Sequence, residues 1–275
     1  MSIETNVASY YTRGRLEDSI LRALTQAEKN VANLTHADLA ALDEFHVGGL
    51  ESTQELAAQM ELRPGLSLLD VGSGIGGPAR YFAGEHGCKV TGIDLTEEFV
   101  QVSRSLTRRT KLDHAVEFVH GSALAMPFEK PVFDRAYTIH VCMNIQDKTK
   151  VFREVRRVLK PGGLVAIFDL MRTGDGSIRY PVPWALTEET SFVSHANDYR
   201  DALSAAGFKV TKERRRGAFA LEFMDRMMAR MAQGGPSALG LHLLMGEPTK
   251  IMLGNVRAMI QEGFLEPIEL FARVA

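Results

Sequence analysis

Two carboxylates and a run of glycines are the residues of this chain whose types and spacing carry chemistry. Asp70 lies in the apolar run Leu68-Leu69-Asp70-Val71, which leads into Gly72-Ser73-Gly74-Ile75-Gly76-Gly77. A second acid, Asp94, ends Val90-Thr91-Gly92-Ile93-Asp94. Glycines at such a turn allow positive backbone angles and the close approach of a ligand. A helix opening beyond the turn points its free N–H groups at whatever sits there. A carboxylate closing the neighbouring strand lies beside the turn and can accept both hydroxyls of a ribose. The segment reads as a site for a nucleoside cofactor.

Two nucleosides compete for it. Gly72, Gly74 and Gly77 satisfy G-x-G-x-x-G, the pattern of nicotinamide dinucleotide sites. Asp70 argues the other way, because a dinucleotide presents a pyrophosphate to this turn and a carboxylate beside it would repel that charge. S-adenosylmethionine presents an α-ammonium and a sulfonium instead, and a nearby carboxylate suits both.

The elements that must position these residues alternate between strand and helix. Strands are expected at Ser67–Val71, Lys89–Asp94, Val116–His120, Phe133–Ile139 and Leu164–Asp169, with helices near Gly76–His86, Glu97–Thr110 and Thr149–Leu159. Short, nearly continuous apolar strands separated by helices imply a parallel sheet covered on both faces. Pro161-Gly162-Gly163 reads as the turn into the fifth strand. A helix at Asn197–Ala206 feeds a sixth strand, Phe208–Arg214, and the last strand is Leu265–Val274. Between those two lies a helical stretch that includes Phe219–Gln233 and Pro248–Glu262. Before the sheet, helices are expected at Leu16–Lys29, at Leu39–Glu44 behind a capping box in Thr35-His36-Ala37-Asp38, and at Ser52–Met60. In such a fold ligands lie beyond the carboxyl ends of the strands, where Asp70, Asp94, Gly121-Ser122 and His140 fall.

The 275 residues fit one large domain with additions and suffice for a buried core. A formal net charge of −2 gives no reason to expect a polyanionic partner, so no nucleic acid is expected. Two cysteines without paired spacing, Cys88 and Cys142, suit a reducing compartment. The N-terminus lacks the regions of a signal peptide, and no apolar run approaches the ~20 residues of a membrane span. A cytoplasmic protein that needs no membrane is the expectation. No His, Cys or carboxylate cluster has the spacing of a metal site.

As a set, Asp70 to Gly77 with Asp94, Val116 to Ala123, Phe133 to Tyr137 and Val158-Leu159-Lys160-Pro161-Gly162-Gly163 resemble the motifs of class I S-adenosylmethionine-dependent methyltransferases, over about Leu50 to Thr211. Leu42 to Thr53 and Ile139 to Ile145 more closely resemble the bacterial group that includes sarcosine/dimethylglycine N-methyltransferases. The resemblance implies a Rossmann-like seven-stranded sheet, mostly parallel with its last strand antiparallel. It also implies that Asp70, Gly72, Ser73, Gly74 and Gly76 hold the methionyl part. Asp94 would take the ribose and Leu95 would pack on adenine. The residue after Gly121 is often an acid that bonds the adenine amino group. Here it is Ser122, leaving its hydroxyl and the Ala123 amide to serve. His140 would border the transferring methyl, and the helices before the last strand would form a substrate lid.

Methyl transfer from a sulfonium is an in-line displacement. Holding nucleophile and methyl together contributes roughly 7–11 kcal/mol, while a general base matters more for oxygen than for neutral nitrogen. His140 is the base candidate, against an alternative in which it only packs beside the site. His46 is a pocket candidate, or else a loop cap. Tyr10, Tyr11, Phe45, Tyr137 and Trp184 could enclose a developing cation or simply fill the core. Asp169 could orient a polar substrate or cap a turn. Met224, Met227, Met228 and Met231 recur at helical spacing as a pliable face for core packing, a substrate lid or a homodimer contact. The expected whole is a single methyltransferase domain over 1–275: a helical cap at 1–60, a cofactor core at 61–215, a lid at 216–263 and the last strand at 264–275. The expected acceptor is a small molecule, first an amine of the sarcosine/dimethylglycine type with Arg172 or Arg179 anchoring its carboxylate. The other readings are O- or C-methylation of a larger apolar molecule, a nicotinamide oxidoreductase, and a non-catalytic cofactor-binding protein.

Overall fold

Seven strands form one sheet in the order β3-β2-β1-β4-β5-β7-β6 in the computed structural model of the chain, which describes residues 2–234, 239–246 and 248–275. The strands are β1 Ser67–Val71, β2 Lys89–Asp94, β3 Val116–His120, β4 Phe133–Ile139, β5 Leu159–Arg172, β6 Phe208–Arg215 and β7 Leu265–Val274. The first five run parallel, and β7 is antiparallel to both β5 and β6. The order reverses between β1 and β4, so the crevice of an open α/β sheet opens above the carboxyl ends of those strands.

The helices are α1 Ile3–Tyr11, α2 Leu16–Gln26, α3 His36–Asp43, α4 Gly49–Gln59, α5 Gly77–His86, α6 Glu97–Arg109, α7 Lys148–Val158, α8 Ala196–Ala205, α9 Gly217–Gly234, α10 His242–Met245 and α11 Thr249–Gln261. One apolar cluster joins β1, β4, β5 and β7 to α7 and α8, and another joins the opposite face to α4 and α5. A third packs α2 and α3 on α6, and a fourth seats α9 and α11 over the end of β5. The inner strands β1, β4, β5 and β7 are buried on both faces and read as nearly continuous apolar runs, whereas the edge strands β3 and β6 include exposed residues.

The differences from the sequence reading are local. Helix α1 carries no expected element. Its only buried residue is Val7, and its short stripe of Ile3, Val7 and Tyr11 faces the cavity described below. Pro161-Gly162-Gly163 does not precede β5 but lies within it. Pairing jumps from Phe133↔Leu159 to Arg135↔Leu164, so the turn is accommodated as a bulge. The capping box forms as expected, with the Thr35 hydroxyl taking the Asp38 N–H and the Asp38 carboxylate taking the Thr35 N–H. Among the described residues, no helix is long and apolar enough to cross a membrane.

Candidate cofactor and acceptor site

A cavity of about 310 Å³ sits above the carboxyl ends of β1, β2, β3 and β4. Its floor is the glycine turn. Gly72 adopts φ +75°, and a Cβ there would lie 2.4 Å from Val141, so only glycine fits. The Gly72 and Ser73 N–H groups bond the Ile93 carbonyl at 2.8 and 3.1 Å, which ties the turn to β2. Space over Gly74 is open, and its N–H donates to Asp94 Oδ2 at 2.8 Å while Thr96 N–H donates to Asp94 Oδ1 at 2.8 Å. Each carboxylate oxygen keeps a further lone pair for a ribose hydroxyl.

Asp70 is buried beside this turn, and its Oδ2 has no hydrogen-bond partner. Burial pushes its carboxyl up to about 8, against the Tyr137 hydroxyl beside it, which lowers it, and with a smaller push from Asp94. An orphaned buried carboxyl at the cradle is what a cationic ammonium would satisfy. The residues present therefore fit S-adenosylmethionine.

The second half of the cavity is apolar. Helices α9, α10 and α11 contribute Phe223, Met224, Met227, Leu244, Met245, Leu253 and Val256, and Phe45, Leu170 and Trp184 join them. Trp184 is buried, with its indole N–H donating to Ser191 Oγ at 2.9 Å. Where the two halves meet, His140 lies with its ring 5.0 Å from Phe168 and 5.9 Å from His46. Its Nε2 is buried without a partner. Desolvation holds the ring well below the usual histidine range, with His46 adding to the effect, so it is neutral near pH 7 and keeps a free lone pair. His140 itself takes φ +54°, an uncommon conformation for a residue with a Cβ. His46 Nε2 contacts the Gly49 carbonyl at 3.1 Å and Thr53 Oγ1 at 3.2 Å, and the Thr53 hydroxyl donates to Glu44 Oε2 at 2.7 Å. Burial pushes His46 down to about 4 and Glu44 up to about 8.

The structure brings together most of the residues singled out from sequence. Asp70, Gly72, Ser73, Gly74, Asp94, Leu95, Ala123, His140, Tyr11, Phe45, His46, Trp184, Met224 and Met227 all line the cavity. Others stand elsewhere. Gly76 (φ +88°) does not line the cavity and instead backs onto Phe118 and Arg80. Ser122 is turned to Glu4, to which its hydroxyl bonds. Asp169 is wholly buried beneath the site, accepting the Cys142 N–H at 3.1 Å and the Tyr199 hydroxyl at 3.1 Å. Arg179 is about half exposed and paired with Glu262, and Arg172 holds the Gly176 and Val193 carbonyls. Neither arginine reaches the cavity. Tyr137 is core, packed on Phe82 at 4.6 Å. Tyr10 bonds the Pro183 carbonyl at 3.0 Å, Met228 is exposed, and the Met231 side chain lies outside the described residues.

Sequence reasoning missed what α1 contributes. Ile3, Glu4 and Val7 line the cavity beside the expected Tyr11, whose hydroxyl donates to Asn144 Oδ1 at 2.9 Å. It also missed Glu44 and Thr53, although both sit within the Leu42–Thr53 stretch. Neither residue type announces itself there, because their meeting depends on the turn at Gly48–Gly49.

Comparison with known proteins agrees with the geometry. Residues 69–167 match the family described as a methyltransferase domain. Among curated relatives, methyltransferase GfsG of Streptomyces halstedii is 31% identical over 168 residues, covering 61% of this chain and 59% of that protein. The sarcosine/dimethylglycine N-methyltransferase of Halorhodospira halochloris is 32% identical over 151 residues, covering 54% of this chain and 53% of that protein. The chain thus spans little more than half the length of these two relatives. In fold it is similar to geranyl diphosphate C-methyltransferase from Streptomyces coelicolor A3(2), with a TM-score of 0.74 at 15% identity over 100% of this chain and 99% of that one. The match over residues 69–167 and the geometry of the glycine turn agree on a methyltransferase domain in this chain, with S-adenosylmethionine as its cofactor.

Proposed function

We propose that this protein transfers the sulfonium methyl of S-adenosylmethionine to an uncharged, largely apolar small molecule held under α9–α11. The observation that carries this reading is the make-up of the cavity wall: among the described residues, no lysine or arginine lines it. A carboxylate or phosphate on the acceptor would be taken out of water with no cation to meet it, at a cost of several kcal/mol. The arginines considered as anchors for an amino acid are tied to other partners, Arg179 to Glu262 and Arg172 to backbone carbonyls. This favours the apolar acceptor over the sarcosine/dimethylglycine type, although a relative bears that type in its name.

When bound, the cofactor supplies an electrophilic methyl group, and the protein's part is to position the acceptor and manage a proton. The flat faces of Phe45 and Trp184 and the flexible Met224 and Met227 can grip an apolar skeleton. His140, whose buried Nε2 has no partner, would accept a proton from a hydroxyl or an activated carbon as the new bond forms.

Transfer of labelled methyl from S-adenosylmethionine should be assayed on phenols, alcohols and terpenoids beside sarcosine, dimethylglycine and phosphorylated amines. Product from the uncharged series alone is the expected result. Turnover confined to the carboxylated or phosphorylated acceptors would reject the proposal.

A further inference from the structure

The order of strands fixes which part of the cofactor lies where. Asp94 closes β2, so a ribose held by it has β1 and β4, with Asp70 and His140, on one side and β3 on the other. With the ammonium drawn to Asp70, the base lies on the β3 side, near Leu95, Gly121, Ala123 and Leu124, all of which line the cavity. The Gly121 N–H bonds the Asp94 carbonyl at 2.9 Å and locks these two strand ends together.

An adenine presents an exocyclic amino group there, and that group needs an acceptor. The chain after β3, Gly121-Ser122-Ala123-Leu124, has no carboxylate. Nor does Ser122 line the cavity: its oxygen accepts the Leu124 N–H at 3.0 Å, and its single proton goes to a carboxylate oxygen of Glu4. Glu4 comes from the first turn of α1, is half-buried, and lines the same cavity. The other lining carboxylates are committed. Asp43 pairs with Arg80 at 2.5 Å, Asp94 takes the Gly74 and Thr96 amides, Asp147 caps α7 through the Lys150 N–H at 2.8 Å, and Asp70 lies at the glycine turn.

We infer that Glu4 reads the adenine amino group, its carboxylate accepting an amino N–H while Ser122 holds it in place. A carboxylate has lone pairs to spare after one hydroxyl contact, and a hydrogen bond to a charged acceptor is stronger than one between neutral groups. Ser122 is then a positioning residue that does not touch the base. Recognition of the base is thereby linked to the seating of α1, which also presents Tyr11 to Asn144.

The test is calorimetric titration of the whole chain with S-adenosylhomocysteine and with S-inosylhomocysteine, in which a carbonyl replaces the amino group. Wild-type protein should prefer the adenosyl compound by roughly tenfold or more, as expected for one hydrogen bond to a charged group. Glu4→Ala should lower this ratio toward one, chiefly by weakening the adenosyl compound. Glu4→Gln, which keeps an oxygen acceptor without the charge, should retain part of it. An unchanged ratio in Glu4→Ala, whether both ligands bind as before or weaken together, would make Glu4 a strut for α1 and overturn the inference. If Glu4→Ala does not fold, an undiminished ratio in Glu4→Gln overturns it equally. Binding of S-adenosylhomocysteine by the wild type tests the cofactor site separately.

Discussion

Asp70 and Asp94 are two carboxylates near one turn that burial pushes up alike and that differ in their partners. Asp94 accepts two backbone N–H groups, whereas Asp70 has an oxygen with no partner and is pushed from 3.8 to about 8. At pH 7 the ligand-free Asp70 therefore holds its proton, and pairing it with an ammonium requires that the proton leave. S-adenosylhomocysteine affinity should rise from pH 6 to pH 8 and then level off, and Asp70→Asn should bind more weakly with that slope removed; a flat profile in wild type would contradict this. The same shift acts on folding with the opposite sense of benefit. The folded state carries the extra proton between about 4 and 8, so this group's contribution to stability falls as pH rises through that window. Asp94→Ala should weaken S-adenosylhomocysteine by about 100-fold, the loss of two hydrogen bonds to a charged acceptor, and unaltered calorimetric affinity would show that the ribose lies elsewhere. His140→Gln should lower kcat on a hydroxyl acceptor by roughly 10²–10⁴-fold while leaving S-adenosylhomocysteine affinity within a few-fold; an intact kcat would reduce His140 to packing.

At the scale of elements, the covering pieces matter as much as the sheet. At the exit of helix α1 the Glu98 carboxylate accepts the N–H groups of Arg13, Gly14 and Leu16, the last two at 3.0 Å, beside the Arg13 Nε bond to the Leu244 carbonyl at 2.8 Å. Glu98→Ala should free this latch and speed S-adenosylhomocysteine dissociation several-fold in stopped-flow traces, with the sheet's thermal transition moved little. An unchanged off-rate would mean that α1 does not gate the ligand. These elements also mark where sequence reading stops. Strands β1 and β4 announced themselves because both faces are buried, and the turn after β1 because it needs a residue without a Cβ at Gly72. Helix α1 did not, because it buries little but Val7 and its use lies in contacts across the chain, Glu4 to Ser122 and Tyr11 to Asn144. Arg179 misled for the converse reason: a cation in the loop after β5 looks free in the sequence, but Glu262, just after α11, pairs with it.

Over the whole molecule, the glycine-turn half of the cavity and its apolar half, the proposed acceptor site, come from different parts of the chain. Residues 69–167 carry the turn, both carboxylates and His140, and their strand ends were legible because cofactor chemistry constrains residue type. The acceptor half is built from α9–α11 and the segment around Trp184. There any apolar residue of fitting size serves, so the sequence announced a greasy lid without naming what it covers. The central claim is that the carboxyl edge of this sheet holds S-adenosylmethionine through Asp70, the glycine turn and Asp94. Calorimetric titration of the protein with S-adenosylhomocysteine, with NADH titrated in parallel, tests it most directly. Micromolar binding of S-adenosylhomocysteine and no heat from NADH is the predicted result, whereas binding of NADH alone, or of neither, would contradict it.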